Sequence, residues 1–363
     1  MMVFSKSICI SVTIAAIFII SLSVVNGGKR KEDQGTDHAI QSAQKQPRLV
    51  DSCISDNDTT VPPSHQDTDH ASQSVKKEDD EPTTRRPLAV NNFDDCLSGY
   101  IGNQSKIVLL LDYDGTLTPI VARPELAIIP DETKNVLQTL AGMPNVHIAI
   151  ISGRGLGDLK DMIGVEGLTY AGNTGLDISF PDGGEFKYPI SEKDQEKLKK
   201  LIETLQAQLC KHSDWVEDKG PTLTYHYRAA PEVLHAELME RARYLILDAE
   251  FKAGKAHCAL EAIPCVDWDK GQAALYILNK FFPENWREIA IIYVGDDVND
   301  EYAMEVLKDM AVTFRVDASN KVDSVAKHYL SNPDSVLAML QWVERHFGKR
   351  MLQEDSDRNL SNN

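Results

Sequence analysis

The chain has 363 residues, 42% hydrophobic and 26% charged, enough for one large domain or two modest ones. Its 55 acidic side chains against 38 basic ones leave a net charge of -17, which argues against a general nucleic-acid binder but not against one small anion in a local site. Six cysteines, none in a C-x-x-C pair, argue against a disulfide scaffold and a cysteine-rich zinc site.

The chain opens on an uncharged apolar run, 8–25, that closes on Asn26-Gly27-Gly28. Small residues behind such a run predict a signal peptide, 1–27, cut near Gly27, and a protein of the secretory pathway or the cell exterior. The run also reaches membrane-spanning length, and Lys29-Arg30-Lys31 would hold its flank on the cytoplasmic side. An uncleaved anchor with the folded part in the cytosol is therefore the rival reading, and membrane contact is expected only there. Asn57, Asn103 and Asn359 open sequons that matter only in a translocated chain. Residues 28–97 read as a disordered linker. The stretch 29–92 holds no Phe, Trp or Tyr, and 33–45 recurs imperfectly as 65–77, too polar to bury a core. Its Asp37-His38 and Asp69-His70 pairs read as solvated rather than metal-binding.

Non-alternating aliphatic runs at 107–111, 146–151 and 289–294 predict strands buried on both faces, hence a parallel sheet covered by helices, and a fourth strand is predicted at 310–316. Helices are predicted at 131–140 behind Pro130, at 269–281, and at 299–308 with Asn299 as N-cap. This alternation predicts an α/β fold with a doubly wound parallel-sheet (Rossmann-like) core. The middle of the chain differs. A helix starts at Ser191 with Asp194 three residues on, strands follow at 214–217 and 222–228 about Lys219-Gly220-Pro221, then a helix behind Pro231 and strands at 249–252 and 256–263. Two helix-strand-strand units make a small sheet with both helices on one face, an inserted α/β cap domain. Thr222, Thr224, His226 and Arg228 share one strand face and Leu223, Tyr225 and Tyr227 the other, while His257 and Glu261 alternate with Cys258 and Leu260. The aromatic face is expected against the helices and the polar face toward the core. The organisation is thus a core of 98–175 and 264–347, a cap of 176–263, and a disordered tail of 348–363.

Ligands of open parallel sheets sit beyond the carboxyl ends of the strands. There the first run ends in Asp112-Tyr113-Asp114-Gly115-Thr116, the second in Ser152-Gly153-Arg154, and the third in Gly295-Asp296-Asp297, with Asp300 close behind. Carboxylates crowded on one rim drive each other to protonate, and a hard, oxygen-preferring cation such as magnesium relieves this. Lys270 opens a helix, where the macrodipole disfavours a cation, and Gly271 behind it is a poor helix former; anion binding accounts for both. Singly, each segment is more often a turn, a tight connection or a helix cap than a site; on separate strands of one rim they point to a site. A dinucleotide fingerprint at Gly153-x-Gly155 fails, because its third glycine falls at Asp158.

These segments carry a resemblance. Asp112-Tyr113-Asp114-Gly115-Thr116-Leu117-Thr118-Pro119, Ile151-Ser152-Gly153-Arg154, Asp269-Lys270-Gly271 and Gly295-Asp296-Asp297-Val298-Asn299-Asp300-Glu301 are similar to the four ordered motifs of the haloacid-dehalogenase-like phosphatases. Over about 106–346 the chain resembles the trehalose-6-phosphate phosphatase family. Glu217-Asp218-Lys219 and His226-Tyr227-Arg228 resemble that family's sugar-binding stretch, and Glu261 matches an acidic residue ahead of the motif lysine. Gly172-Asn173-Thr174-Gly175 departs from the family's Gly-x-His-Gly and loses a histidine contact; Glu261-Ala262-Ile263-Pro264 departs from Glu-Val-Arg-Pro. Lys255 and His257 are the candidates for a basic residue before that glutamate.

The resemblance implies a Mg2+-dependent phosphatase for trehalose 6-phosphate in trehalose biosynthesis, with an aspartyl-phosphate intermediate. It makes Asp112 the nucleophile, Asp114 the general acid and base, and Ser152, Gly153 and Lys270 the phosphate-binding groups. It puts Arg154, Glu217, Lys219, His226, Arg228 and Glu261 on the sugar, and the metal on Asp112, Asp296, Asp300 and the Asp114 carbonyl, with Asp297 near it. The expected partner is thus a small sugar phosphate, with no nucleic acid. A phosphatase for another sugar phosphate is the alternative. A non-catalytic binding protein is a third reading, against which intact Asp112, Asp114, Lys270 and Asp296 speak.

Overall fold

The computed structural model describes residues 88–361, apart from 91, 103, 122, 257, 284–288, 320 and 321. The expected signal segment, the linker's repeat and Asp-His pairs, Asn57, Asn103 and His257 lie outside the described residues. The elements begin with β1 (Leu88–Ala89), β2 (Ile107–Leu111), α1 (Asp131–Ala141), β3 (Val146–Ile151), α2 (Leu156–Ile163), β4 (Thr169–Gly172), β5 (Asp177–Ser179) and β6 (Glu185–Lys187). Next come α3 (Glu192–Gln208), β7 (Trp215–Asp218), β8 (Leu223–His226), α4 (His235–Asp248), β9 (Phe251–Ala256) and β10 (Ala259–Pro264). The chain then forms α5 (Lys270–Phe281), β11 (Ala290–Gly295), α6 (Val298–Leu307), β12 (Val312–Val316), β13 (His328–Leu330) and α7 (Pro333–Ser361).

The larger sheet has the order β1-β13-β12-β11-β2-β3-β4-β5-β6. Its strands from β1 to β4 pair parallel, and β5 and β6 close one edge antiparallel. From β2 the chain winds one way to β3 and β4, and from β11 the other way to β12 and β13. The neighbours β2 and β11 therefore flank the topological switch point. Every residue of both is buried, because helices cover both faces. Leu109 and Leu111 share an apolar cluster with Leu137 and Leu140 of α1 and with Val336, Met339 and Leu340 of α7. Val108, Leu110 and Tyr293 alternate to the side of α5 and α6 and are equally buried. Each fully buried Leu contributes about 1.5–3 kcal/mol, which is why these aliphatic runs organise the fold and hold their polar ends in register.

The cap is an antiparallel sheet of order β7-β8-β10-β9. Leu198, Leu201 and Leu205 of α3 and Leu238, Ala242 and Ile246 of α4 pack on Leu223, Tyr225, Tyr227 and Leu260, as the strand alternation requires.

The structure moves several boundaries. The hairpin β5–β6 belongs to the core sheet, so the cap starts near Ser191 rather than at 176. The turn Asn173–Gly175 after β4 is too short for a parallel crossover, so the chain folds back antiparallel. Strands expected at 249–252 and 256–263 are instead the hairpin β9–β10, whose weakly patterned Ala253 and Gly254 pair with Ala262 and Glu261. Pro231 opens a 3-10 turn, Glu232–Leu234, ahead of α4. β1 pairs with β13 inside the expected linker; two residues carry no periodicity to announce it. α7 runs to Ser361 through the expected tail, where no Pro or Gly follows Gly348 to stop a helix that tertiary packing has already nucleated. Among the described residues no helix is long and apolar enough to cross a membrane.

Candidate functional site

The three strand ends converge as the topology demands. Asp112 follows β2, and its N–H donates to Val294 O of β11 at 2.9 Å, which ties the two ends together. The next residues curl into a tight loop in which the N–H groups of Leu117 and Thr118 donate to Tyr113 O at 2.8 and 3.1 Å. The buried Tyr113 hydroxyl donates to Ala127 O at 2.6 Å and pins the loop. Gly115 sits at φ 79, and a Cβ there would lie 2.0 Å from Asp296 Oδ2. Only glycine lets the first loop close over the Asp296 carboxylate.

Asp112, Asp296 and Asp300 each bring a carboxylate oxygen within 4.8 Å of the others. Lys270, nearly fully buried, sets its Nζ 2.8 Å from Asp112 Oδ1 and 2.8 Å from Asp300 Oδ1. Asp300 also accepts from the Tyr293 hydroxyl at 2.6 Å and from the N–H groups of Asp296 and Asp297 at 3.1 Å each. It is thus the anchor that orients Lys270 and the third loop. The N-cap of α6 is Asp297 rather than Asn299. Its Oδ1 accepts from Asn299 N and Asp300 N, and Asp300 closes the capping box. Lys270 follows the capping Asp269, and the charges of Asp112 and Asp300 account for a cation at that helix start. Gly271 has a packing reason: a Cβ there would lie 2.9 Å from Tyr302 O of α6.

Burial, and behind it the Asp300 and Asp297 charges, pushes the Asp296 carboxyl up to about 7. Burial raises Asp112 well above the usual carboxylate range, Lys270 pulls it back, and Asp300 and Asp296 raise it again. Burial opposes the charge on Lys270, but Asp112 and Asp300 outweigh it and raise the ammonium pKa well above its ordinary value. Four carboxylates about one ammonium leave an excess of negative charge on an all-oxygen donor set. Such a set fits a hard divalent cation, and Asp112, Asp296 and Asp300 are the side chains that could hold or flank it.

Asp114 and Arg154 form a second cluster. Arg154 Nε and Nη2 donate to Asp114 Oδ2 and Oδ1 at 2.7 and 2.8 Å, a bidentate pair. Its Nη1 donates to Asp158 at 2.9 Å, its Nη2 also to Pro124 O at 2.8 Å, and its guanidinium lies over the Tyr113 ring. Only 9% of this side chain is exposed, against 42% of Asp114. Arg154, expected on the sugar, pairs in the structure with Asp114, a contact across forty residues that no local pattern announces. Ser152 is buried at the end of β3, where its Oγ accepts from Arg154 N.

The polar face of the cap meets this rim. Lys219 Nζ donates to Gly153 O at 2.9 Å and to Glu261 Oε1 at 2.8 Å. Arg228 donates to Val121 O at 2.9 Å. His226 Nε2 and Glu217 Oε2 are 2.9 Å apart. Burial works against the Glu217 carboxylate, yet His226, Lys219 and Arg154 hold it below its usual range. Asn173, which precedes the Thr174 that stands in place of the family's histidine, joins core to cap. Its Nδ2 donates to Asp177 Oδ2 at 2.9 Å and Lys219 O at 3.1 Å, and its Oδ1 accepts from Thr222 at 2.9 Å. The available signal was an asparagine within the Gly-x-x-Gly turn itself. Tyr293 was hidden in an apolar run, although a phenol in a buried strand needs a hydroxyl partner.

Residues 110–334, well over half of the chain, match the family described as trehalose-phosphatase. The chain is 30% identical over 293 residues to trehalose-phosphate phosphatase B of Arabidopsis thaliana, covering 76% of this chain and 77% of that protein. It is 29% identical over 295 residues to the probable trehalose-phosphate phosphatase 3 of Oryza sativa subsp. japonica, covering 75% and 78%. Among solved structures, the C-terminal domain of C. albicans trehalose-6-phosphate phosphatase shares the fold, with a TM-score of 0.59 at 22% identity over 71% of this chain and 98% of that one.

Proposed function

The chain belongs to the trehalose-phosphatase family of phosphoric monoester hydrolases, and from that premise we propose that it hydrolyses trehalose 6-phosphate to trehalose and phosphate through an aspartyl-phosphate on Asp112. The observation that carries this reading is the pairing of Asp112 with Lys270, beside Asp296 and Asp300, at the switch point between β2 and β11. A carboxylate nucleophile must stay ionised in a buried site that also receives a phosphate dianion. Lys270 offsets part of that charge. Mg2+, held by Asp112, Asp296 and the Asp114 carbonyl with Asp300 beside them, would supply the rest and polarise the phosphoryl oxygens when bound.

In the first step an Asp112 oxygen bonds to phosphorus as the bond from phosphorus to the sugar oxygen breaks, and Asp114 delivers a proton to that departing oxygen. In the second, Asp114 takes a proton from water as the water oxygen attacks the same phosphorus. The Asp112 acyl-phosphate bond breaks, and phosphate and the free carboxylate result. Ser152 and the Gly153 turn hold the phosphoryl oxygens with Lys270, where donors fixed in a dry site stabilise the developing charge. We assign Arg154 to orienting Asp114 rather than to the sugar. Glu217, Lys219, His226, Arg228 and Glu261 form the sugar-facing wall. Residues 1–27 we take as a signal peptide into the secretory pathway, the alternative being an anchor that alkaline extraction would leave in the membrane.

The deciding experiment is phosphate release by the full chain from trehalose 6-phosphate, glucose 6-phosphate and sucrose 6-phosphate, with and without chelator. Chelator-sensitive turnover highest on trehalose 6-phosphate is expected, as is its loss in Asp112→Asn. Higher turnover on another of these substrates would reassign the substrate, and an active Asp112→Asn would remove Asp112 as nucleophile.

A further inference from the structure

The apolar face of the cap sheet is used up by α3 and α4. The opposite face carries Glu217, Thr224 and Glu261 in one register row and Trp215, His226 and Ala259 in the next. This face lies against the core rim. Glu261 Oε1 of β10 would lie 3.6 Å from a Cβ on Gly153, and Lys219 reaches Gly153 O from the turn between β7 and β8. Just beyond β8, Arg228 reaches Val121 O in the loop after Asp114. Trp215 stands two residues before Glu217 and therefore on the same face, between these two contacts.

Trp215 contributes nothing to the cap core, and its side chain faces away from it. The indole stacks on the His226 imidazole with centroids 4.0 Å apart and planes inclined by 17°, and His226 in turn contacts Glu217 at 2.9 Å. With one face covered in this way, the residue is still 44% exposed. A large flat apolar surface thus borders a carboxylate–imidazole pair on a wall that is otherwise polar. That combination complements a pyranose ring, which presents C–H groups on a face and hydroxyls around its edge. A stacked aromatic is also rigid, so little freedom is lost when a ring settles on it.

We propose that Trp215 is a specificity-determining residue, the platform on which the unphosphorylated hexose ring of a disaccharide phosphate rests while Glu217 and His226 bond its hydroxyls. This deepens the reading of the site as a trehalose 6-phosphate phosphatase and rests on it. A hexose monophosphate lacks the second ring and gains nothing from the platform.

The test measures kcat and KM of the full chain, Trp215→Ala and Trp215→Phe on trehalose 6-phosphate, glucose 6-phosphate and para-nitrophenyl phosphate. Trp215→Ala is expected to lower the ratio of kcat/KM on trehalose 6-phosphate to that on para-nitrophenyl phosphate about tenfold, through KM. Trp215→Phe, which keeps a flat ring, is expected within about threefold of the parent. Equal proportional losses on all three substrates, or an unchanged ratio in Trp215→Ala, overturn the proposal. A parent chain that turns over para-nitrophenyl phosphate but not trehalose 6-phosphate overturns the substrate reading and the proposal with it. Should the alanine variant fail to fold, titration of the parent and Trp215→Phe with trehalose decides. A change in tryptophan emission in the parent that disappears in Trp215→Phe supports the platform; the same change in both overturns it.

Discussion

Replacing Lys270 by Met keeps an unbranched apolar stem of nearly the same length and removes the ammonium, with its charge and its hydrogen bond to Asp300. In the structure that charge lies 2.8 Å from Asp112 and 2.8 Å from Asp300, with 3% of the side chain exposed. Breaking a buried pair by removing one partner costs about 3–5 kcal/mol, because the remaining charges stay desolvated. For a domain of this size that lowers the unfolding midpoint by about 6–20 °C. The penalty is limited by protonation of the stranded carboxylates, whose folded pKa values already lie above the unfolded ones, Asp296 at about 7. Groups raised in this way leave stability intact below their unfolded pKa and remove it as pH climbs through the folded value. The variant's folded carboxylates therefore bind more protons than the parent's near neutrality. Its deficit is expected to grow with pH, by about 1.4 kcal/mol per unit for each extra proton held. Urea unfolding of parent and variant from pH 6 to 8 in chelator, so that no bound cation supplies the missing charge, measures this. A deficit under about 1 kcal/mol, or one that does not change with pH, would refute the view that Lys270 neutralises a buried acidic cluster.

Three further outcomes follow from named contacts. Arg154→Lys removes the bidentate grip on Asp114, so kcat on trehalose 6-phosphate is expected to fall about ten- to a hundredfold with KM little changed; a rise in KM at constant kcat would return Arg154 to the sugar. Asn173→Ala deletes the amide that joins the β4 turn to Lys219 and Thr222. It is expected to raise KM for trehalose 6-phosphate by about five- to thirtyfold, reflecting about 1–2 kcal/mol, and to affect para-nitrophenyl phosphate less. Tyr225→Phe removes the hydroxyl that donates to buried Asp214 at 2.5 Å. Burial opposes the Asp214 carboxylate, but the Tyr225 hydroxyl and the amides of His212 and Lys211 hold it below its ordinary value. A depressed carboxyl contributes stability above its unfolded pKa that fades as pH falls through the folded one. Urea unfolding should thus show a loss of about 1.5–3 kcal/mol at pH 7 that shrinks in acid; an equal loss at both pH values would exclude charge as its cause.

The sheet, the rim and its acids were legible in the amino-acid sequence because their causes are local. Strands buried on both faces show up as apolar runs without alternation, as at 107–111 and 290–294. The order of runs and helices then puts Asp112, Ser152 and Asp296 at carboxyl ends on one rim. The alternation of Leu223, Tyr225 and Tyr227 with His226 assigned the cap faces for the same reason. What tertiary structure alone decided are relations between residues far apart in the chain. The commitment of Arg154 to Asp114, the use of Asn173 as a link to the Lys219 turn, and the assignment of β5 and β6 to the core sheet each depend on which segments meet. A guanidinium or an amide offers the same donors wherever it stands in a sequence; only when the chain is packed is it settled which acceptors lie within 3 Å, and with them what the side chain does.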